Sequence, residues 1–182
     1  MVKEPRPGRV KTRLGRDIGM TTAAWWFRHQ TSNLIRRVQN PRWQTILAVS
    51  PDQEGMQSSI WPHHLARWPQ GQGDLGDRMA RTFRGIPPGP CIIIGADIPG
   101  IHPRHIWSAF RALGSNDAVI GPATDGGYWL IGLKRIKPQN RNMFSNVRWS
   151  GEHALSDTLE TLENQRIATV NMLSDVDTVA DL

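Results

Sequence analysis

The feature that most constrains the fold is an apolar run, Cys91 to Ile94, that leads into a short loop with an aspartate. Three of its four residues are β-branched, which is typical of a strand buried on both faces of an α/β sheet. Gly95 and Ala96 are small residues that leave room for a ligand, and Ile98–Pro99 ends the extended conformation after Asp97. Ligands of open α/β sheets bind beyond the carboxyl ends of the strands, so Asp97 is a candidate ligand for a divalent cation that carries nucleotide phosphates. The alternative is an aspartate that only caps the following turn, and the strand alone does not decide between them.

The length and the single cysteine bound the class of protein. With 182 residues the chain fits one domain, residues 1–182, because single domains run to roughly 250 residues. No apolar run is long enough for a membrane span or a signal peptide. A single cysteine excludes an intrachain disulfide and a cysteine-built metal site. We therefore expect a cytoplasmic protein without a membrane partner.

The net charge of +6 and the isoelectric point near 10.4 suit an anionic partner. Residues 1–42 hold ten Lys and Arg against two acids, whereas residues 151–182 hold one Arg against seven acids. A nucleic-acid binder usually presents basic and aromatic residues along one face. The eight tryptophans are instead dispersed, mostly in apolar-periodic segments, which favours core or interface roles. We therefore expect no nucleic-acid partner.

Helix and strand patterns alternate along the chain, which predicts a layered α/β domain. Helices are predicted at residues 21–38, 74–86, 103–113 and 152–164, and strands at residues 45–49, 65–68, 91–94, 117–120, 128–133 and 167–170. The connection between residues 120 and 128 is too short for a crossover. The sheet should therefore be mixed, mostly parallel and flanked by helices.

Residues 3–13 form a basic segment, predicted as part of a loop at residues 4–15, whose five cations repel one another unless solvated or neutralised. Gly8 lets the backbone approach a ligand closely, and Lys11 and Arg13 offer point-charge and fork-type donors to a phosphate. A Walker-type P-loop is rejected because its second glycine is missing. A solvated basic terminus is the alternative. The candidate nucleotide-binding residues here are Pro7, Gly8, Lys11, Thr12 and Arg13.

A second loop, residues 121–129, carries paired glycines after an aspartate. Gly126 and Gly127 permit positive φ and expose backbone N–H groups, which suits a sugar or a phosphate. The alternative is a simple hairpin turn, which needs less sequence than this loop holds. The candidate ligand residues are Thr124, Asp125, Gly126, Gly127 and Tyr128.

Residues 71–79 place glycines before a predicted helix N-terminus, where Asp74 and Arg78 are candidate nucleotide contacts. An acidic cap at Asp74 would compete with an anion, so a purely structural loop is equally consistent with the pattern.

Near the end of the sequence, Asp175 and Asp177 stand two residues apart, so both face one ion in an extended stretch. Either of them could complete the coordination begun by Asp97. A plain helix cap by Asp175 is the alternative.

Other chemistries lack support. His102 and His105 have a spacing that binds zinc, but the sequence offers no third ligand. The sequence also contains no nucleophile elbow, no Rossmann glycine fingerprint and no cysteine paired with a base. Acyl-transfer hydrolysis and dehydrogenase chemistry are therefore not indicated.

Six segments, taken in chain order, resemble one bacterial family. They are Lys-Glu-Pro-Arg-Pro-Gly-Arg-Val-Lys-Thr-Arg-Leu (3–14), Gln-Gly-Asp-Leu-Gly-Asp-Arg-Met (72–79), Gly-Ala-Asp-Ile-Pro-Gly (95–100), Gly-Pro-Ala-Thr-Asp-Gly-Gly-Tyr-Trp-Leu-Ile-Gly (121–132), Val-Arg-Trp-Ser (147–150) and Asp-Val-Asp-Thr-Val-Ala-Asp-Leu (175–182). The chain resembles the DUF2064 family of GT-A-like glycosyltransferases, some of them linked to arsenosugar biosynthesis.

The resemblance implies a single-domain nucleotide-diphospho-sugar transferase fold, akin also to nucleotidyltransferases such as 2-phospholactate guanylyltransferase. In such folds the basic loop lies over the nucleotide phosphates, and a strand-end aspartate, here Asp97, helps to hold Mg²⁺ or Mn²⁺. Asp177 is the implied second metal ligand, and Asp125 with Gly126–Gly127 is implied to line the acceptor side.

The chain departs from the family pattern at its start. Members usually begin with an apolar strand before the basic loop, and only Met1–Val2 stand there in this sequence. A strand of about five residues is therefore expected to be truncated. Either the start was assigned too late or the protein has lost a structural element. We expect the former, because an intact basic loop has no use without an anchor. A stop codon or a polar stretch in frame upstream would contradict this.

These features predict a metal-dependent transferase that uses a nucleotide sugar and a small-molecule acceptor. The cation would neutralise the diphosphate leaving group, and Lys11 and Arg13 would add charge stabilisation. Asp125 is the candidate for orienting or deprotonating an acceptor hydroxyl. The alternatives are a nucleotidyltransferase that uses a nucleoside triphosphate at the same site, and a catalytically silent nucleotide-binding protein.

Overall fold

The computed structural model of the chain describes residues 1–181. By their contacts these residues form two compact units. Unit 1 comprises residues 1–69, residues 95–103 and the residues from 175 onward, and unit 2 comprises residues 70–94 and 104–174. None of the helices in residues 1–181 has the length and apolar character needed to cross a membrane. The prediction of one folding domain, residues 1–182, stays a prediction.

Unit 1 is built on a three-stranded sheet whose strands are all parallel. Strands β1 (Val2–Lys3), β2 (Ile46–Ser50) and β3 (Ala66–Pro69) pair in that order. In the register of β1 and β2, Val2 lies opposite Val49. The first strand therefore contains two residues, as the short apolar start predicted, and it still pairs along the central strand.

Three helices accompany this sheet: α1 (Thr12–Ile18), α2 (Met20–Val38) and α3 (Asp52–Gln57). The prediction of a loop over residues 4–15 was wrong at its C-terminal end, because α1 begins at Thr12. Lys11 precedes this helix in a left-handed conformation, with φ 45° and ψ 48°. Leu14 is completely buried, so packing of this side chain stabilises the start of α1. The polar residues around Leu14 gave no indication of this packing in the sequence.

The core of unit 1 forms between α2 and the parallel sheet. Phe27 and Ile35 from α2 pack in one cluster with Leu47 and Val49 of β2 and with Trp61. The apolar spacing on α2 and the uninterrupted apolar run in β2 are the patterns that a parallel sheet covered by a helix requires.

Unit 2 is built on a four-stranded mixed sheet. Its strands are β4 (Cys91–Ile94), β5 (Ala118–Pro122), β6 (Tyr128–Leu133) and β7 (Ile167–Thr169), in the spatial order β4-β6-β5-β7. β6 is antiparallel to β4 and β5, whereas β7 is parallel to β5. The tight β5–β6 connection thus produces the antiparallel pair that its length predicted.

The helices of unit 2 are α4 (Leu75–Gly85), α5 (Pro103–Ser115) and α6 (Ala154–Thr161), and a 3-10 turn in unit 1 spans Val179–Asp181. Asp74 caps α4 in a reciprocal capping box with Asp77. Residues 134–153 contain neither helix nor strand. The predicted α/β class, with a mixed, mostly parallel set of strands and flanking helices, is confirmed.

Candidate active site

The loop after β4 presents Asp97 in unit 1, and helix α2 holds this loop in place. The Thr31 hydroxyl donates a hydrogen bond to the carbonyl oxygen of Ala96 at 3.4 Å. The Arg37 guanidinium donates to the carbonyl oxygen of Pro99 at 2.7 Å. Because both residues that flank the Asp97–Ile98 segment are held by α2, the direction of the Asp97 side chain is fixed by backbone contacts.

The C-terminal segment lies against the same loop. The Val176 N–H donates to the Asp97 carbonyl oxygen at 3.4 Å. One carboxylate oxygen of Asp181 accepts from the Asp177 N–H at 3.1 Å, from the Thr178 N–H at 2.7 Å and from the Thr178 hydroxyl at 2.8 Å. These hydrogen bonds, the side-chain one from Thr178 first, lower the pKa of Asp181 below its usual value. They cap the 3-10 turn and hold the backbone from which the Asp177 side chain projects.

Lys11 joins these two segments through its side chain. Its Nζ lies 2.7 Å from Oδ2 of Asp97 and 2.6 Å from Oδ1 of Asp177, and the side chain is only 5% exposed. Burial of the ammonium favours its neutral form, but attraction to Asp97 and hydrogen bonds to both carboxylates outweigh this and raise the pKa of Lys11 above its usual 10.5. Lys11 is therefore a buried, fully charged cation at neutral pH.

A third carboxylate completes the cluster. Oxygen atoms of Asp97, Asp175 and Asp177 lie within 4.8 Å of one another, and all three residues are half-buried. Oxygens on opposite sides of a Mg²⁺ ion lie about 4.2 Å apart, since Mg–O distances are about 2.1 Å. The three carboxylates thus need only small shifts to bind one hard cation, and an all-oxygen donor set suits Mg²⁺ or Mn²⁺. We call Lys11, Asp97, Asp175 and Asp177 the acidic cluster.

The remaining basic residues of the N-terminal segment divide into two groups. Arg13 reaches the acidic cluster, with Nη1 3.2 Å from Oδ2 of Asp177, and its side chain is largely exposed. Arg6 and Arg9 instead pair with Glu54 of α3, at 2.9 and 3.5 Å. Carboxylates of unit 1 therefore neutralise part of the positive charge of the basic segment, for which the sequence analysis proposed a phosphate ligand.

Pro7 and Gly8 are exposed at the turn that precedes α1, and Thr12 is exposed at the first position of α1. Gly8 has φ 74°, and a Cβ atom added there would meet nothing within 4 Å. The backbone at this turn is therefore open to a ligand on the side where a side chain would lie.

In unit 2 the loop from Thr124 to Tyr128 is a tight turn. An Asp125 carboxylate oxygen accepts from the Gly127 N–H at 2.9 Å, and Thr124 and Asp125 are exposed. Gly126 has φ 84°, and a Cβ atom there would lie 2.5 Å from Cα of Glu152, so only glycine fits. The hairpin interpretation of this loop therefore holds for its backbone, while Asp125 still presents an exposed carboxylate.

Tyr128 turns its hydroxyl into unit 2. The Thr158 hydroxyl donates to this oxygen at 3.2 Å, and the phenol lies 3.9 Å from the Met79 sulfur. Burial raises the pKa of Tyr128 above its usual range, so the phenol is neutral at physiological pH. Its ring meets Trp149 edge to face at 6.5 Å.

The last two sequence candidates belong to the start of α4. Asp74 accepts from the Asp77 N–H at 2.9 Å, so its carboxylate serves the helix cap. Arg78 donates from Nε to the Gly73 carbonyl oxygen at 3.0 Å and is partly exposed.

The structure thus brings together Lys11, Arg13, Asp97 and Asp177 in unit 1, and residues 124–128 in unit 2. Sequence reasoning missed the three residues that position the acidic cluster. Thr31 and Arg37 act across 65 and 62 residues, and nothing in a helical pattern marks such contacts. Asp181 could have been found, because Thr178 and Asp181 have the spacing of a capping box.

Comparisons with known proteins identify the family of the chain. The profile of DUF2064, described as uncharacterized protein conserved in bacteria, matches residues 33–151. A comparison with curated proteins gives no match. A solved structure of a candidate nucleotide-diphospho-sugar transferase from Desulfovibrio desulfuricans G20 has 28% identity and a TM-score of 0.82, over 99% of this chain and 81% of that one.

Two more distant structures share the fold. One is 4-diphosphocytidyl-2C-methyl-D-erythritol synthase from Anaerococcus prevotii DSM 20548, with 12% identity, a TM-score of 0.58, and coverage of 85% of this chain and 84% of that one. The other is Rv0371c from Mycobacterium tuberculosis H37Rv in complex with manganese, with 14% identity, a TM-score of 0.50, and coverage of 85% and 82%. The fold is that of the nucleotide-diphospho-sugar transferases, and the chain belongs to the DUF2064 family.

Proposed function

We propose that the protein is a metal-dependent transferase that moves a glycosyl group from a nucleotide sugar to a small-molecule acceptor. The observation that carries this proposal is the acidic cluster, in which oxygen atoms of three carboxylates lie within 4.8 Å of one another and two of these carboxylates contact the buried Lys11 ammonium. Three carboxylates against the two cations Lys11 and Arg13 leave surplus negative charge, and a divalent ion would remove that surplus. A plain structural ion pair needs one acid for one base.

The comparisons support the class of reaction. The structure with the highest TM-score of those described above carries the name of a nucleotide-diphospho-sugar transferase. The synthase is a fold relative, and another fold relative was solved with manganese. A cytoplasmic reaction is proposed on the basis of the single cysteine.

The proposed metal ligands are Asp97 and Asp177, with Asp175 as a third. A bound Mg²⁺ or Mn²⁺ would supply charge neutralisation for the diphosphate leaving group. Lys11 and Arg13 are proposed to add charge stabilisation for the same leaving group. Both side chains already contact Asp177, so their positive charges are held beside the proposed metal ligands, where the phosphates of a nucleotide would bind. Pro7, Gly8 and Thr12 offer the adjacent turn as backbone contacts to the nucleotide.

The residues of unit 2 are proposed to serve the acceptor and the nucleotide. Asp125 presents an exposed carboxylate, so it is the group proposed to orient an acceptor hydroxyl or accept its proton. Thr124, Gly126 and Gly127 are proposed to line the acceptor beside it. Tyr128 is proposed as an apolar contact, because its neutral hydroxyl is held by Thr158. Asp74 and Arg78 remain proposed nucleotide contacts.

Thermal shifts with UDP-, GDP-, CDP- and dTDP-sugars, each with and without Mn²⁺, test the proposal. We expect stabilisation by one nucleotide sugar that requires Mn²⁺ and disappears in Asp97→Ala. The matched control is Asp17→Ala, which removes an exposed acid of α1 in the same unit. Stabilisation by any polyanion without metal, unchanged in Asp97→Ala, would contradict the enzyme and identify a silent binder.

Product analysis separates the two enzymes. A free nucleoside diphosphate in the presence of an acceptor supports glycosyl transfer. Pyrophosphate released from a nucleoside triphosphate identifies a nucleotidyltransferase instead, at the same acidic cluster.

A further inference from the structure

A cavity of about 740 Å³ lies within unit 2, away from the residues assigned above. It is bounded by the end of α4, by the turn that precedes β4, and by the segment of residues 135–141 that follows β6. Small-molecule sites usually occupy about 300–1,000 Å³, so the volume is that of a metabolite site.

The charge of this cavity is entirely positive. Four of its ten lining residues are cationic, namely Arg84, Arg135, Lys137 and Arg141, and none is acidic. Within residues 1–181, no carboxylate forms an ion pair with any of the four. Four like charges around one cavity repel one another, so an anion that enters it is attracted by all of them.

Neutral groups, and not acids, orient two of these side chains. Arg135 donates from Nη2 to the carbonyl oxygens of Ile86 and Pro87, the latter at 2.8 Å. Arg84 donates from Nη2 to the Arg141 carbonyl oxygen at 3.0 Å. Carbonyl oxygens fix a guanidinium without cancelling its charge, and each guanidinium has five N–H donors. The cavity walls are therefore pre-organised and still positively charged.

Of the other six lining residues, Gln139 is polar and five are apolar, namely Phe83, Ile86, Pro88, Ile136 and Pro138. Ile136 is 67% exposed, so its side chain is accessible to a ligand in the cavity. A ligand that covers it would bury apolar surface as well as neutralise charge.

We propose that this cavity binds a phosphorylated small molecule with an apolar body. Three of the four cations are arginines, whose planar fork matches phosphate oxygens bidentately. The site is separate from the loop of residues 124–128, because that loop precedes β6 and the segment of residues 135–141 follows it. β6 has six residues and spans about 17 Å.

The test measures binding of phenyl phosphate, a phosphate ester on an apolar ring, by calorimetry and by NMR. The double variant Lys137→Gln with Arg141→Gln removes two charges. Neither of these side chains donates a hydrogen bond to the rest of the described chain. The control, Arg28→Gln with Arg111→Gln, removes two exposed charges elsewhere, so both variants have the same net charge.

We expect saturable binding to the wild type and the control, and binding at least about tenfold weaker in the cavity variant. NMR shifts should include Ile136, and Asp97→Ala should leave the affinity unchanged, which separates this site from the acidic cluster. If the double variant does not fold, each single substitution should weaken binding about threefold.

Three results would overturn the proposal. They are no saturable binding of phenyl phosphate in the millimolar range, equal weakening in both double variants, and tight binding of a single-stranded RNA that phenyl phosphate does not displace. The second would show a general effect of net charge, and the third would show a macromolecular partner.

Discussion

Each unit contains a partly buried ion-pair site, and the two sites differ in whether the cation or the acid is the buried partner. In the acidic cluster the cation is buried, since Lys11 is 5% exposed, while Asp97 and Asp177 are each about one-third exposed. In unit 2 the acid is buried, since Asp157 is 10% exposed and Arg148 is 65% exposed. Buried charge is tolerated in both cases because a partner lies within hydrogen-bond distance.

The pairs also differ in how completely their hydrogen bonds are satisfied. Asp157 accepts from Arg148 through its N–H, its Nε and its Nη2, at 2.9, 2.9 and 2.8 Å. This is a closed pair of one acid and one base, bidentate in geometry. In the acidic cluster the Lys11 ammonium is shared between Asp97 and Asp177, and Asp177 also contacts the exposed Arg13. The ion pair of unit 2 thus holds the segment before α6. The carboxylates of the acidic cluster in unit 1 can instead bind a further cation.

The largest effect is expected from Asp177→Asn compared with Asp157→Asn. Loss of a proposed metal ligand should lower transferase activity at least about 10²-fold and abolish stabilisation by Mn²⁺. Asp157→Asn should leave the affinity for Mn²⁺ unchanged, because Asp157 belongs to the closed pair. Activity assays and metal titrations monitored by thermal unfolding check both. Equal metal affinity in Asp177→Asn and wild type would contradict the proposed ligand set.

The second comparison concerns the cation. Lys11→Met leaves the carboxylates of the cluster without their ammonium, so the free energy of unfolding should fall by about 1–3 kcal/mol without metal. Mn²⁺ should recover this loss, because the ion replaces the missing charge. Urea unfolding with and without Mn²⁺ measures it, with Lys3→Met, an exposed lysine of the same unit, as the control. A loss that Mn²⁺ leaves uncorrected would show that Lys11 is a structural residue only.

The third comparison uses acid. Hydrogen bonds from the Arg148 side chain, then from its N–H, hold the pKa of Asp157 well below its usual 3.8. A lowered pKa stabilises the folded state above 3.8, and this contribution is lost as the pH falls through the folded value. Between neutral and acidic pH, the free energy of unfolding should therefore depend less on pH for Asp157→Asn than for the wild type. Urea unfolding at a series of pH values measures this. Asp117→Asn, in an exposed pair with Arg166, should change the curve less.

The smallest effect is expected at alkaline pH. The pKa of Lys11 is raised, so its contribution to stability is complete below 10.5 and is lost as the pH rises through the folded value. Wild-type stability should fall above this pH more steeply than that of Lys11→Met. Identical alkaline slopes would show that the ammonium gains nothing from the acids around it.

The sequence predicted those parts of the molecule that depend on local patterns. The apolar run before Asp97 became β4, the short connection before Tyr128 became an antiparallel turn, and Asp74 became a helix cap. Each of these outcomes follows from side-chain periodicity or from chain length over a few residues, which a single sequence displays directly.

The parts that escaped prediction depend on distant contacts. Lys11 meets Asp177 across 166 residues, and its left-handed backbone, which starts α1 inside the basic segment, has no local signature. Glu54, which pairs with Arg6 and Arg9, lies in α3, a helix that is absent from the predicted elements. Tertiary packing decided both, and packing partners are not visible in spacing.

The glycine at position 126 has a consequence for the genetics of the protein. Its hydrogen atom faces the backbone of Glu152, and every other amino acid would place a carbon there. In a saturation library, codon 126 should therefore accept only synonymous changes. Codon 114, whose glycine faces open space within a helix, should accept alanine freely.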